Sequence, residues 1–207
     1  MVLASLSLLL LTSPSDGLSR VLDSKTRRYS VHLEIDDHDS ASTSDFEIVL
    51  SPKKAKKDEP AGSYFLKLMN LRWSAGDINR RQATFGSGTI FIGAEGLPTG
   101  VISTGLSLSP LLSFYVPGSE GRISTDNPVS EDDIGLGWRL KGTMRMGLVT
   151  TEGQGVQVDG QIQLPNGTSM SYSSKATMNA DSGWPVEASG SIQGPKFSET
   201  YTIKAKS

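Results

Sequence analysis

Histidine and cysteine, two residue types that often act in catalysis, are scarce in this 207-residue chain. It has no cysteine and two histidines, His32 and His38, so a Ser-His-Asp triad would need one of those imidazoles. His32 alternates with apolar residues as on the polar side of a strand, and His38 lies among turn-forming residues. No Gly-x-Ser-x-Gly elbow is present. Structural roles are therefore favoured for both histidines, and we expect no enzyme activity and no catalytic residues.

Two acidic clusters could bind a hard cation, because carboxylate oxygens are the ligands that Ca²⁺ prefers. They occupy residues 36–39 and 131–133. Neither has the spacing of a twelve-residue calcium loop with its final glutamate, and aspartate-rich turns are common. We therefore expect no metal site and no cofactor. A carboxylate pair for glycoside hydrolysis is defined in space rather than by spacing, so the sequence leaves it open.

An apolar set rich in methionine is the strongest candidate for ligand binding. Methionine is flexible and recurs on surfaces that adapt to varied apolar partners. Core packing is the more frequent role for such residues, and the alternative is a cavity wall for an acyl chain or another apolar ligand. The candidate ligand-binding residues are Trp138, Met144, Met146, Met170, Met178 and Trp184.

The elements that would position these side chains are predicted to be strands. From residue 138 to 206, apolar and polar residues alternate in five runs separated by turns such as Asn166-Gly167. Residues 29–35 and 46–50 alternate in the same way. Consecutive strands joined by short turns form an antiparallel meander. The predicted fold class is mostly β: a long-stranded, antiparallel, curved sheet, either a half-barrel or a barrel, with one short helix.

The short helix is predicted within residues 107–116, where the curved sheet would pack around it. Ser109 would be its N-cap, and Pro110 would occupy the first helical position. Small residues on the apolar face of the meander permit strong curvature or leave room for a ligand against the backbone. They are Gly142, Gly160, Ala188 and Gly190.

The first residues indicate targeting. Residues 2–11 are a nearly continuous apolar run of the length of a signal-peptide core, although no Lys or Arg precedes it. We predict a signal peptide at 1–17, a linker at 18–27, and one β-rich domain at 28–207 whose second half, 138–206, is the meander. The protein would then be exported, to the periplasm or the extracellular space. The alternative for the apolar run is a short buried or docking helix.

Composition excludes some partners and favours others. The formal net charge is −2 and the isoelectric point is about 5.7, which argues against nucleic acid as a partner. The apolar run is too short for an integral membrane span. A transmembrane β-barrel is a rival, against which the lack of aromatic girdles counts. The expected partner is a lipid or another apolar small molecule.

Two stretches carry a family resemblance. Residues 111–117 (Leu-Leu-Ser-Phe-Tyr-Val-Pro), followed by Gly137-Trp138, resemble the helix, proline and tryptophan pattern of certain exported bacterial proteins of unknown function. Residues 179–190 (Asn-Ala-Asp-Ser-Gly-Trp-Pro-Val-Glu-Ala-Ser-Gly) are similar to a hairpin in half-barrel lipoprotein carriers of the LolA/LolB and LppX kind. The resemblance covers about the second half and implies a curved sheet covered by a helix or loops, with lipid binding. The sequence departs from lipoproteins in having no cysteine for acylation.

Two functions follow as hypotheses. The first is a non-catalytic exported binding protein with a lipid or other apolar ligand in a half-barrel cavity. The alternative is a structural or protein-interaction domain of the cell envelope whose core is filled by its own side chains.

Overall fold

A computed structural model describes residues 18–54, 62–96, 98–104, 106–115, 121–126, 129–131, 139–164 and 166–206. Within these residues the chain forms one curved, open, largely antiparallel sheet and one short helix, which confirms the predicted fold class. The predicted signal peptide, residues 1–17, and Trp138 lie outside the described residues.

Twelve strands make up the described part of the sheet. They are β1 (Arg27–Asp37), β2 (Ser40–Pro52), β3 (Ser63–Ala75), β4 (Ile78–Phe91), β5 (Thr99–Ser103), β6 (Gly121–Asp126), β7 (Val129–Glu131), β8 (Arg139–Thr150), β9 (Gly153–Gln163), β10 (Ser169–Met178), β11 (Pro185–Gly194) and β12 (Phe197–Lys206). Their spatial order is β6-β8-β9-β10-β11-β12-β1-β2-β3-β4-β5-β7. The meander predicted for 138–206 is therefore confirmed as β8 to β12.

The sheet contains two meanders, β1 to β5 and β8 to β12, which are joined by the pairing of β1 with β12. The last strand, β12, pairs antiparallel with the first, β1, so that Val31 lies opposite Ile203. This pairing makes β1 and β12 central strands. The strands β5 and β7 pair in parallel.

The two edges of the sheet belong to neighbouring segments of chain. Strand β6 pairs with β8 at one edge, and β7 pairs with β5 at the other. Only residues 127 and 128 separate β6 from β7, so three Cα steps connect Asp126 to Val129. A step is about 3.8 Å, so the two edges approach within about 11 Å there. That proximity requires the strong curvature of the sheet.

One face of the sheet forms the core, which the helix covers. The helix is a 3₁₀ helix, Ser109–Phe114, and every residue in it is buried. The ring of Phe114 packs edge-on against Tyr29 at 4.9 Å between centroids. The predicted N-cap is wrong: Leu108 occupies that position, and the Ser109 hydroxyl donates to the Glu199 carboxylate instead. Ser109 is buried against β12, so its hydroxyl serves a tertiary contact rather than the helix end.

Residues 18–26, predicted as part of a linker, precede β1 without regular secondary structure, and we call them the N-terminal strap. Leu18 and Arg20 are buried, with 6% and 2% exposed. The Arg20 backbone N–H donates to the Ala94 carbonyl at 2.7 Å, and the Val21 N–H donates to Ser182 at 2.9 Å. The strap is thereby attached both to the segment after β4 and to the β10–β11 turn.

No helix in the described residues has the length and apolar character needed to cross a membrane.

Candidate functional site

The predicted methionine set is divided between the core and its margin. Met144 and Met178 are 2% and 0% exposed, while Met146 and Met170 are partly buried against the core. Of these four, Met146 alone is among the residues that line an open cavity of about 1470 Å³. Their role as ligand contacts stays a prediction, as does that of Trp138, which lies outside the described part of the chain.

Trp184 is buried in contact with two arginines and a tyrosine. The guanidinium carbons of Arg27 and Arg20 lie 3.9 Å and 4.9 Å from the centre of its ring, and the Tyr64 ring packs edge-on at 5.6 Å. Its indole Nε1–H donates to the Val21 carbonyl at 2.9 Å. These contacts make Trp184 an anchor for the N-terminal strap.

An open cavity of about 1470 Å³ lies across the sheet. Residues from nine strands line it, β1 to β4 and β8 to β12. Sequence reasoning missed this site, because no local motif marks it.

A single line of cross-strand partners crosses the cavity from β8 to β4, and we call it the groove row. Each member lies directly opposite the next in the strand ladders, and all nine line the cavity. In spatial order the groove row is Arg145, Gln157, Lys175, Ser189, Thr202, His32, Asp45, Arg72 and Arg81.

A second line of partners, the companion row, borders the same cavity. It consists of Gly155, Thr177, Glu187, Lys204, Ser30 and Glu47. Between the two rows lies a line of core-facing residues: Met146, Val156, Ala176, Ala188, Ile203, Val31 and Phe46. Successive side chains of a strand point to opposite faces, so both rows project from the face opposite the core. The cavity is therefore a groove across the outer face, and we call it the transverse groove.

The transverse groove is richer in positive charge than the chain as a whole. Six lysines and arginines line it, against three carboxylates, while the whole chain has a formal net charge of −2. The cationic residues are Arg72, Arg81, Arg145, Lys175, Lys204 and Lys206; the acidic ones are Asp45, Glu47 and Glu187.

His32 lies near the centre of the groove row, between two carboxylates. Its Nδ1 lies 2.7 Å from Asp45 Oδ1, and its Nε2 lies 3.1 Å from Glu34 Oε1. Hydrogen bonds to Asp45 and then Glu34 raise the pKa of His32, which favours the imidazolium form. With both ring nitrogens bonded to carboxylates, His32 has none left to accept a proton from a nucleophile.

Two of the three groove carboxylates already have cationic or amide partners. Glu47 Oε1 accepts from Lys206 Nζ at 2.7 Å and from Asn70 Nδ2 at 3.1 Å, and these bonds lower the pKa of Glu47. Asp45 is bonded to His32. Arg72 and Arg81 form no salt bridge with any described residue, although they lie directly opposite each other. Arg145 and Lys175 likewise form no salt bridge with a described residue, so positive charge without an acidic partner lies towards both ends of the groove row.

A separate polar network lies under the helix, inside the core. Glu199, 2% exposed, accepts hydrogen bonds from Ser109 and Ser107, and burial raises the pKa of its carboxyl. The Ser113 hydroxyl donates to the Tyr201 hydroxyl at 3.1 Å. The network ties the helix to β12. One sequence signal could have identified Glu199, since it shares strand parity with Tyr201 and Ile203.

Among the residues that the structure describes, no group of three or more His, Asp or Glu side chains is placed to hold a metal ion. Comparison with known proteins adds no precedent for the groove, because the chain matches no family model and no curated protein.

Proposed function

We propose that this protein is a non-catalytic binding protein whose ligand occupies the transverse groove. The observation that carries the proposal is the groove itself, about 1470 Å³ in volume and lined by nine strands. Pockets for drug-sized molecules are about 300–1000 Å³. A groove larger than that, and extended across the strands, suits an elongated ligand. Its lining residues stand on strands of the sheet, so their backbone is ordered before the ligand binds, and the ordering cost is confined to side chains.

The chemistry of His32 supports binding rather than catalysis. A general base needs a ring nitrogen free to accept a proton from the reacting group. Both nitrogens of His32 face carboxylates, and the raised pKa favours the form that has no acceptor. His32 in this state donates both of its N–H groups to Asp45 and Glu34 and so fixes these carboxylates in place.

The cellular location is part of the proposal. The apolar run at residues 2–11 supports export, and an export route leads to the periplasm or the extracellular space. The burial of Leu18 supports a processing site before that residue, because cleavage beyond it would remove a core side chain.

A lipid or other apolar ligand among the methionines is a different hypothesis. Met144 and Met178 are almost inaccessible, so such a ligand would have to displace packed side chains or the 3₁₀ helix. Met146 also faces the core, but it is only partly buried, so it is more accessible to such a ligand than Met144 or Met178. The structural alternative, a protein-interaction domain with a filled core, predicts no small ligand at all.

A groove-blocking variant tests the proposal. Ser189 is exposed at the centre of the groove row, so Ser189→Trp would fill the groove. Ser171→Trp is the matched control, because Ser171 is an exposed serine on the neighbouring strand β10 and does not line the groove. Native mass spectrometry would measure retained mass after exposure to neutral oligosaccharides, acidic oligosaccharides and a phospholipid extract.

We expect one class to be retained by the unmodified protein and by Ser171→Trp, and lost from Ser189→Trp. Retention by Ser189→Trp at the level of the unmodified protein would contradict a ligand in the groove. Failure to retain any of the three classes would contradict the binding function and favour the structural alternative.

A further inference from the structure

We infer that the ligand of the transverse groove is a linear acidic polysaccharide, whose carboxylate or sulfate groups lie along the groove row. The inference rests on the proposed function and adds the chemical class of the ligand. Three observations support it: the spacing of the cations, the neutral side chains of the same row, and two arginines that lie directly opposite each other on neighbouring strands.

The arginine pair is the first observation. Arg72 and Arg81 are direct cross-strand partners on the same face, and like charges in this position destabilise a sheet. The nearest groove carboxylate along the row, Asp45, is bonded to His32. A planar carboxylate or a tetrahedral sulfate between the two guanidinium groups would offset their repulsion and could accept two hydrogen bonds from either one. The pair is therefore ready to receive an anion.

The second observation is the length of the groove row and the spacing of the cations along it. Neighbouring strands are about 4.8 Å apart, so nine strands cover about 38 Å measured along the curved sheet. The cationic members that form no salt bridge with a described residue stand towards the two ends of the row: Arg145 and Lys175 two strands apart, then, five strands further on, Arg72 and its neighbour Arg81. A single small anion would need only one of these cationic positions. A line of separated cations matches a chain that carries an anion on each unit or each second unit.

The neutral members of the row indicate what lies between the anions. Gln157 lies between the cations of β8 and β10, and Ser189 and Thr202 follow on β11 and β12. Each of these side chains can both donate and accept hydrogen bonds, and such groups suit the hydroxyls of sugar rings.

Nucleic acid fits the same row less well. Single-stranded nucleic acid binds through aromatic side chains on which bases stack, and the groove row has none. Three carboxylates within the groove would also repel a backbone that is charged at each unit. A polysaccharide whose anions are spaced apart can keep them away from Asp45, Glu47 and Glu187 more readily than a nucleic acid can.

The test measures binding by isothermal titration to the purified full chain. The probes are a uronic-acid oligosaccharide, a sulfated oligosaccharide, a neutral oligosaccharide of the same length, single-stranded DNA and anionic phospholipid vesicles. The double variant Arg72→Gln/Arg81→Gln removes the facing pair. Arg28→Gln/Arg122→Gln is the matched control, because both residues are exposed and neither lines the groove.

We expect at least one of the acidic oligosaccharides to bind at least tenfold more tightly than the neutral one, with affinity falling as salt rises. Arg72→Gln/Arg81→Gln should lose at least tenfold in affinity, while the control stays within twofold. Unfolding of the same variants checks the fold, and loss of the like-charge pair should leave the melting temperature unchanged or raise it.

Three results would overturn the inference: equal binding of the neutral probe, unchanged affinity in Arg72→Gln/Arg81→Gln, or tighter binding to DNA or vesicles than to either acidic oligosaccharide. If the neutral probe or a lipid binds and Ser189→Trp abolishes that binding, the groove keeps its proposed function and only the ligand class is wrong. If Ser189→Trp changes nothing, the proposed function itself fails.

Discussion

The ring of Tyr201 lies flat across Gly190, its cross-strand partner on β11. A Cβ at Gly190 would lie 2.6 Å from Cε1 of that ring and closer still to its hydroxyl end. The flat position brings the Tyr201 hydroxyl within 3.1 Å of Ser113 on the helix and 3.0 Å of the Tyr172 hydroxyl. The missing side chain at Gly190 therefore allows the contact that fastens the helix to the sheet.

Gly190→Ala should destabilise the protein by about 1–3 kcal/mol, the usual cost of forcing extra atoms into a packed core. Gly155→Ala is the matched control in strand β9, where an added Cβ meets no atom within 4 Å. The control should be neutral, or more stable by about 0.4–1 kcal/mol, through loss of freedom in the unfolded chain. Urea unfolding of the two variants measures the difference, and equal effects would contradict the Tyr201 contact.

Glu199 should make stability fall as pH rises. Burial raises the pKa of its carboxyl above the ordinary value of 4.5, so between these two values the folded state binds more protons than the unfolded state. The stabilisation is complete below pH 4.5 and is lost as pH rises through the folded pKa. Glu199→Gln should reduce this slope and gain stability relative to the unmodified protein from pH 4 to pH 8. Urea unfolding across that range checks it, with the exposed Glu152→Gln as a control that should keep the original slope.

His32 should contribute stability that disappears at alkaline pH. Its pKa is raised above the ordinary 6.5 by the hydrogen bonds to Asp45 and Glu34. The contribution is fully present below pH 6.5 and is lost as pH rises through the folded pKa. The stability difference between the unmodified protein and His32→Gln should therefore shrink between pH 6 and pH 9. An NMR titration that finds the His32 imidazole at or below pH 6.5 would contradict it, and His38→Gln, in the β1–β2 turn, is the control.

Met178 and Met146 should respond differently to truncation. Met178 is 0% exposed, so Met178→Ala should cost about 2–5 kcal/mol through lost transfer energy and a cavity. Met146 is only partly buried and borders the groove, so the same substitution should cost less. Chemical denaturation compares them. A larger loss at Met146 would mean that the margin of the groove is packed as tightly as the core.

Arg20 should prove important for the N-terminal strap. Its guanidinium donates to the Phe114 carbonyl and, at 3.0 Å, to the Gly93 carbonyl, and burial lowers its pKa to about 10. Arg20→Met would leave both carbonyls without this donor, at a cost of about 2 kcal/mol or more, because hydrogen bonds to charged groups are worth about 1.5–3 kcal/mol. Thermal unfolding measures the loss, and the exposed Lys25→Met should be nearly neutral. Equal melting temperatures for the two variants would contradict an anchoring role for Arg20.

Much of the fold could be predicted from local pattern. The alternation from Leu140 to Ile203 assigns strands and faces correctly, because side chains of a strand alternate with period two wherever one face is buried. Pro110 and the leucines after it were enough to predict the short helix. Its N-cap could not be predicted, since the choice of partner for Ser109 depends on Glu199, which is distant in sequence.

The groove could not be predicted at all. Arg145, Lys175, His32 and Arg72 are scattered along the chain, and each one looks like an ordinary polar residue of an exposed strand face. Register brings them into one row, and a slip of a single residue would turn each side chain to the other face. The β1–β12 pairing, which joins the two meanders, is a contact between distant segments that local propensity does not encode. Period-two pattern therefore decided which residues face outward, whereas long-range strand pairing decided which of them stand together and so where a ligand would bind.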